Sequence, residues 1–93
     1  MTNKVSREKL RQLRNNINIR ILIADTLNIP SKMSEGNFRF LCPVCGEFNT
    51  AVNDRTNLAR CFRCHKNYNP IDMVIEVKSY TFLEAIDFLS PLL

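Results

Sequence analysis

The sequence predicts a small α+β domain, an antiparallel sheet with N-terminal and C-terminal helices packed on it, and three observations lead there. Two Cys-x2-Cys pairs, Cys42/Cys45 and Cys61/Cys64, stand fifteen residues apart. Around them lie short stretches in which aromatic or β-branched residues alternate at period two, as a half-buried strand requires. Before and after them, apolar residues recur at helical spacing behind plausible caps. With 93 residues the chain holds one small core at most, too little for most complete enzymes.

The first helix is predicted from Leu10, Leu13 and Ile17, which share one face, while Arg7, Arg11 and Arg14 repeat the same spacing on a neighbouring one. Ser6 is its expected N-cap. A second short helix is predicted from Ile19 to Thr26 and stops before Asn28-Ile29-Pro30, because the residue ahead of a proline avoids helical backbone angles. Residues 31–36 read as a linker. The stretch 37–42 alternates Phe38 and Phe40 with polar neighbours and reads as a strand. Two further strands are expected over Thr50–Asn53 and Leu58–Phe62, joined by the turn-rich Asp54-Arg55-Thr56-Asn57. Asn69-Pro70-Ile71-Asp72 then reads as a helix start, with Asn69 as N-cap and proline at the first helical position. Thr81 and Glu84 form a capping box for a last helix, whose apolar face is Phe82, Ala85, Ile86 and Leu89. Ser90-Pro91 ends it.

Charge is divided unevenly along the chain. Lys4, Arg7, Lys9, Arg11, Arg14 and Arg20 face a single acid, Glu8, in the first twenty residues. The cysteine segment holds Arg39, Arg55, Arg60, Arg63 and Lys66 against Glu47 and Asp54. The end of the chain is acidic, with Asp72, Glu76, Glu84 and Asp87 against Lys78. Two basic blocks suit a molecule that meets a polyanion on one side. No apolar run is long enough for a membrane span, and the start of the chain lacks the apolar segment of a secretory signal. The expected compartment is therefore the reducing cytoplasm, where four cysteines serve as thiolate ligands more readily than as disulfides.

The spacing Cys-x2-Cys, fifteen residues, Cys-x2-Cys matches sites in which four thiolates hold one zinc ion. Each pair makes a tight knuckle, and Gly46 after the first lets the chain turn so that backbone N–H groups face the sulfurs. Four protein ligands leave no open coordination position, so a zinc here is structural, and its binding energy would supplement a modest core. Disulfides and redox chemistry are the competing readings of the cysteines. His65, beside Cys64, is the one alternative ligand; otherwise it is a solvent-facing loop residue.

Taken together, Asn37-Phe38-Arg39-Phe40-Leu41-Cys42-Pro43-Val44-Cys45, Ala59-Arg60-Cys61-Phe62-Arg63-Cys64, Asn69-Pro70-Ile71-Asp72-Met73-Val74 and Tyr80-Thr81-Phe82-Leu83-Glu84-Ala85-Ile86 resemble the N-terminal zinc-binding domain of bacterial replicative primases. The likeness covers roughly residues 16–93. It implies a zinc ribbon with metal ligands at Cys42, Cys45, Cys61 and Cys64, engagement of single-stranded template DNA, and a separate polymerase domain. Two departures stand out: Cys45 occupies a position where that family commonly has His, and His65 stands where it usually has Gly. On this resemblance, residues 1–36 form a basic helical segment with linker, and residues 37–93 the primase-type zinc-binding domain with its two C-terminal helices.

Nucleotidyl transfer needs clustered carboxylates that hold two metal ions about 3.5–4 Å apart. Asp25, Asp54, Asp72 and Asp87 are scattered, so the chain is expected not to catalyse alone. Its partners would be single-stranded DNA and a polymerase, primase or helicase subunit in trans, with no membrane. A single-strand site combines cations along the phosphates with aromatic faces for the bases. The candidates are Arg39, Arg60 and Arg63, joined by Arg55, Lys66, Phe62 and Tyr68, whereas Phe38 and Phe40 read as core. Leu10, Leu13 and Ile17 are the candidate partner-binding stripe, with packing inside the chain as the commoner use of such a pattern. The alternative function is a zinc-scaffolded protein–protein adapter without nucleic-acid contact; a binder of duplex sites lacks a recognition helix.

Overall fold

The first structured turn follows from its cap: the Ser6 side chain accepts a hydrogen bond from the Lys9 N–H at 3.0 Å and starts α1, Arg7–Asn15. In this computed structural model residues 5–93 are described, so Lys4 of the basic block lies outside the described residues. The second helical segment opens as α2, Ile19–Ile21, with the Asn18 side chain as cap, and widens into a π turn over Leu22–Thr26. The wider turn keeps Ile19, Leu22 and Ile23 all in the core. Asn28, at φ 52°, then breaks it, since asparagine tolerates the left-handed region better than most side chains.

Residues 31–36, which the sequence presents as a linker, are part of a hairpin. Strand β1, Ser31–Ser34, pairs antiparallel with β2, Asn37–Phe40, through a two-residue turn of Glu35 and Gly36 with φ 53° and 79°. Positive φ at both turn residues gives the chain the twist that a two-residue hairpin needs. The polar sequence of β1 hid it because β1 stays at the surface, with mostly exposed side chains.

Strands β3, Thr50–Asn53, β4, Leu58–Cys61, and β5, Lys66–Tyr68, form a second antiparallel sheet in that spatial order. The two sheets meet at β2 and β3 without a ladder. Thr50 joins them instead: its buried hydroxyl accepts from the Phe40 N–H at 2.9 Å and donates to the Phe40 carbonyl at 2.7 Å. Arg39 adds a hydrogen bond from its guanidinium to the Thr50 carbonyl at 2.7 Å.

Helices α3, Pro70–Lys78, and α4, Phe82–Leu89, begin with reciprocal capping boxes, Asn69 with Asp72 and Thr81 with Glu84. A 3-10 turn, Ser90–Leu92, follows α4. One face of the β3–β5 sheet carries Thr50, Ala59, Cys61 and Tyr68 into a core shared with Leu13, Ile19, Ile23, Met73, Val74 and Leu89. Leu13 is fully buried and Ile17 nearly so, with Leu10 packed against them. Leu10 and Leu13 thus lie on the inner face of α1, with Ile17 just past its end, and the stripe serves the chain's own core, against α3, and not a surface for another protein.

The hairpin between β3 and β4 reaches back to the N-terminal helices through Asn57. Its amide nitrogen donates to the carbonyls of Arg14 and Ile17 at 2.6 and 2.7 Å, and its side-chain oxygen accepts from the Ile19 N–H at 2.9 Å. It does so from a left-handed backbone, φ 56°. Arg20 fastens the same hairpin, pairing with Asp54 at 2.8 Å while its guanidinium lies over the Phe38 ring. Asn57→Ala leaves three backbone groups at a helix junction without partners and is expected to destabilise the zinc-loaded protein by about 2–4 kcal/mol in urea unfolding. Asn57→Gly keeps the backbone angle accessible, so most of the loss should persist in it. Full recovery in Asn57→Gly would show that backbone strain, and not the clamp, sets the effect.

Candidate metal centre and nucleic-acid interface

Both cysteine pairs lie in turns that immediately follow strands, the first two residues beyond β2 and the second at the end of β4. In the first, the Gly46 N–H donates to the Cys42 carbonyl at 2.9 Å, with Gly46 at φ 71°. The Val44 N–H points at Cys42 Sγ from 3.4 Å. In the second knuckle the donor comes one position later, the Cys64 N–H lying 3.4 Å from Cys61 Sγ. There His65 takes the left-handed place of the glycine, φ 57°.

The knuckles face each other so that all four sulfurs lie within 4.8 Å of one another. Cys42 Sγ and Cys64 Sγ are 3.8 Å apart, and Cys45 Sγ and Cys61 Sγ 3.6 Å. A tetrahedron with about 2.3 Å zinc–sulfur bonds has edges of roughly 3.8 Å, whereas a disulfide needs about 2.05 Å. All four cysteines are free. The arrangement therefore fits a single structural zinc held by Cys42, Cys45, Cys61 and Cys64. Cys45 supplies a thiol where the primase-like pattern has His, and His65 is not in the cluster.

Crowding separates the thiols in acidity. Burial pushes Cys42 up, but hydrogen bonds from the Cys45 and Val44 backbone and from the Cys61 and Cys45 side chains outweigh it, leaving Cys42 at about 7. Burial, reinforced by the neighbouring sulfurs, lifts Cys64 to about 12. Cys45 is also raised, again by burial first. A metal must displace the protons from Cys45 and Cys64 at neutral pH. Zinc affinity is accordingly expected to fall by at least about a hundredfold per pH unit of acidification, more steeply once pH passes below about 7 and Cys42 is protonated too. Chelator competition across pH reads this directly, and an affinity flat from neutral pH to pH about 6 would contradict it.

The other face of the β3–β5 sheet is open. There Arg60 and Phe62 lie beside Arg55 of the hairpin and line one shallow groove, floored by Ala51 and Leu58 and edged by Asn67. The Arg60 guanidinium donates to the Asn67 side chain at 3.0 Å and sits 5.7 Å from the centre of the Phe62 ring, which is 44% exposed. The remaining sequence candidates are elsewhere. Arg39 is held half-buried by the Thr50 carbonyl. Arg63 projects from the second knuckle, 4.0 Å from Glu47. Lys66 pairs with Glu76 of α3 at 3.1 Å. Tyr68 is 1% exposed and cannot stack on a base: β5, whose polar start did not read as a strand, turns its ring into the core. Asn67, which fixes the Arg60 head group, carries no sequence signal, because only strand pairing places it opposite Arg60.

Comparison with known proteins agrees with this geometry. The DNA primase of Halalkalibacterium halodurans is 27% identical over 93 residues, an alignment that covers 97% of this chain and 15% of that protein. The chain thus spans a small part of the length of the curated relative it matches. The model of the CHC2 zinc finger family matches residues 5–92, across both knuckles, the two sheets and all the helices. With that match over most of its length and four thiols gathered about one metal position, the chain belongs to the CHC2 zinc finger family.

Proposed function

We propose that this chain is a non-catalytic DNA-binding module of replication initiation, which engages single-stranded template and supports primer synthesis by a polymerase, primase or helicase partner. The observation that carries this reading is the convergence of Arg55, Arg60 and the exposed Phe62 ring on one open sheet face next to the metal knuckles. Two cations can track phosphates there while a base stacks on the ring. The similarity to a DNA primase supports the same reading, with the polymerase activity supplied by another domain or subunit. A cytoplasmic setting goes with it, and among the described residues no helix is long and apolar enough to cross a membrane.

The test is binding of the zinc-loaded chain to a labelled single-stranded oligonucleotide over a range of salt. Log affinity should fall linearly with log salt, by about 0.7 for each phosphate neutralised, and duplex of the same sequence should bind more weakly. The adapter reading draws on the exposed Phe82 and Leu83 at the start of α4, next to Glu84. It predicts no salt-dependent oligonucleotide binding at all, and that result would replace the DNA reading.

A further inference from the structure

The largest fully buried side chain in the protein is a phenol, Tyr68, and its hydroxyl has one hydrogen-bond partner among the described residues: Cys42 Sγ, 3.9 Å away. We propose that Tyr68 is a positioning residue of the metal centre, its hydroxyl donating to the Cys42 thiolate and holding part of the charge of a site with four sulfur ligands.

Charge balance makes such a donor useful here. Zinc with four thiolates carries a net charge of about −2, one unit more than a site in which a neutral histidine replaces a thiolate. Cys42 and Cys61 are buried, where an anion needs donors in place of water. Each receives backbone N–H groups from its own knuckle, Val44 and Cys45 to Cys42 and Cys64 to Cys61. Cys42 alone among the four has a side-chain hydroxyl directed at it. A neutral thiol is a weak acceptor and a thiolate a strong one, so the contact strengthens when the metal is bound.

Secondary structure fixes the hydroxyl in place. Tyr68 pairs with Ala59 across β4 and β5, and the Lys66 ammonium lies 5.5 Å from the ring centre, tethered in turn to Glu76. The ring has no room to turn the oxygen towards solvent. This inference concerns the metal site alone and does not depend on DNA binding.

Tyr68→Phe removes the oxygen and keeps the ring. In the full chain loaded with cobalt(II), the sulfur-to-metal charge-transfer band should move to lower energy, because a thiolate without that hydrogen bond is a stronger electron donor. Zinc affinity by chelator competition should weaken by about tenfold or more, as for other outer partners of metal ligands. An unchanged band together with an affinity within about twofold of the parent would reduce Tyr68 to packing and overturn the proposal. If the variant does not fold, proton NMR of the unaltered, cadmium-loaded chain decides. A slowly exchanging Tyr68 hydroxyl proton coupled to the metal supports the bond, and one that shows no coupling overturns it.

Discussion

Removing the metal is expected to unfold the β3–β5 sheet and loosen most of the rest. Structural zinc contributes on the order of 10 kcal/mol in small zinc-dependent modules, comparable with the whole stability of a domain this size, about 5–15 kcal/mol. The buried positions show why the loss should spread. Cys42 and Cys61 are core residues, packed in the same cluster as Phe40, Ala59, Tyr68 and Met73. Without a cation, four crowded sulfurs are held together only by thiol contacts, while Cys42 ionises near neutral pH inside an apolar cluster. A strong chelator at pH about 7.5 should therefore abolish the β-sheet signal in circular dichroism, and zinc should restore it. Cys61→Ser should behave like the chelated protein. A chelated chain with an unchanged spectrum and urea midpoint would show that the apolar core suffices and that the metal has no folding role.

Reversing the charges at Arg55 and Arg60 together should lower single-strand affinity by about a hundredfold at low salt and flatten the salt dependence by about 0.7 for each phosphate no longer neutralised. Both side chains are on the open face, so stability should hardly change. Phe62→Ala should weaken binding by about 1–3 kcal/mol while leaving the salt slope intact, because stacking releases no counterions. Arg39→Ala provides the contrast. Its guanidinium braces the junction of the two sheets through the Thr50 carbonyl, so it should lower the unfolding midpoint more than the affinity. Equal reductions of affinity at Arg39, Arg55 and Arg60, with one common slope, would mean that diffuse positive charge and not this groove holds the strand.

The features legible in the sequence are those governed by neighbours a few residues away. Ser6, Asn69 and Thr81 cap helices because a side chain three positions from an unsatisfied N–H reaches it whatever else the chain does. The knuckles are equally local: two cysteines three positions apart, with a left-handed residue after them, form a ligand pair on their own. Strands β1 and β5 were not legible. Each is short, polar and mostly exposed, and is extended because a partner strand supplies its hydrogen bonds. Phe62 and Tyr68 look alike in the sequence, aromatic residues beside the knuckles, yet one is open and the other sealed. Phe62 lies one residue past β4 on the open side, whereas Tyr68 is in β5 and faces the core.

By itself, then, the sequence determined the four metal ligands, the helix starts and the α+β class, since all of these follow from short-range spacing and local hydrogen bonding. Only the tertiary structure decided which side of the β3–β5 sheet stays open, that Leu13 and Ile17 serve the core, and that Asn57 ties the hairpin to the N-terminal helices. The reason is physical: a side chain's exposure depends on what packs against it from elements thirty or forty residues away in the chain. No local pattern carries that distance.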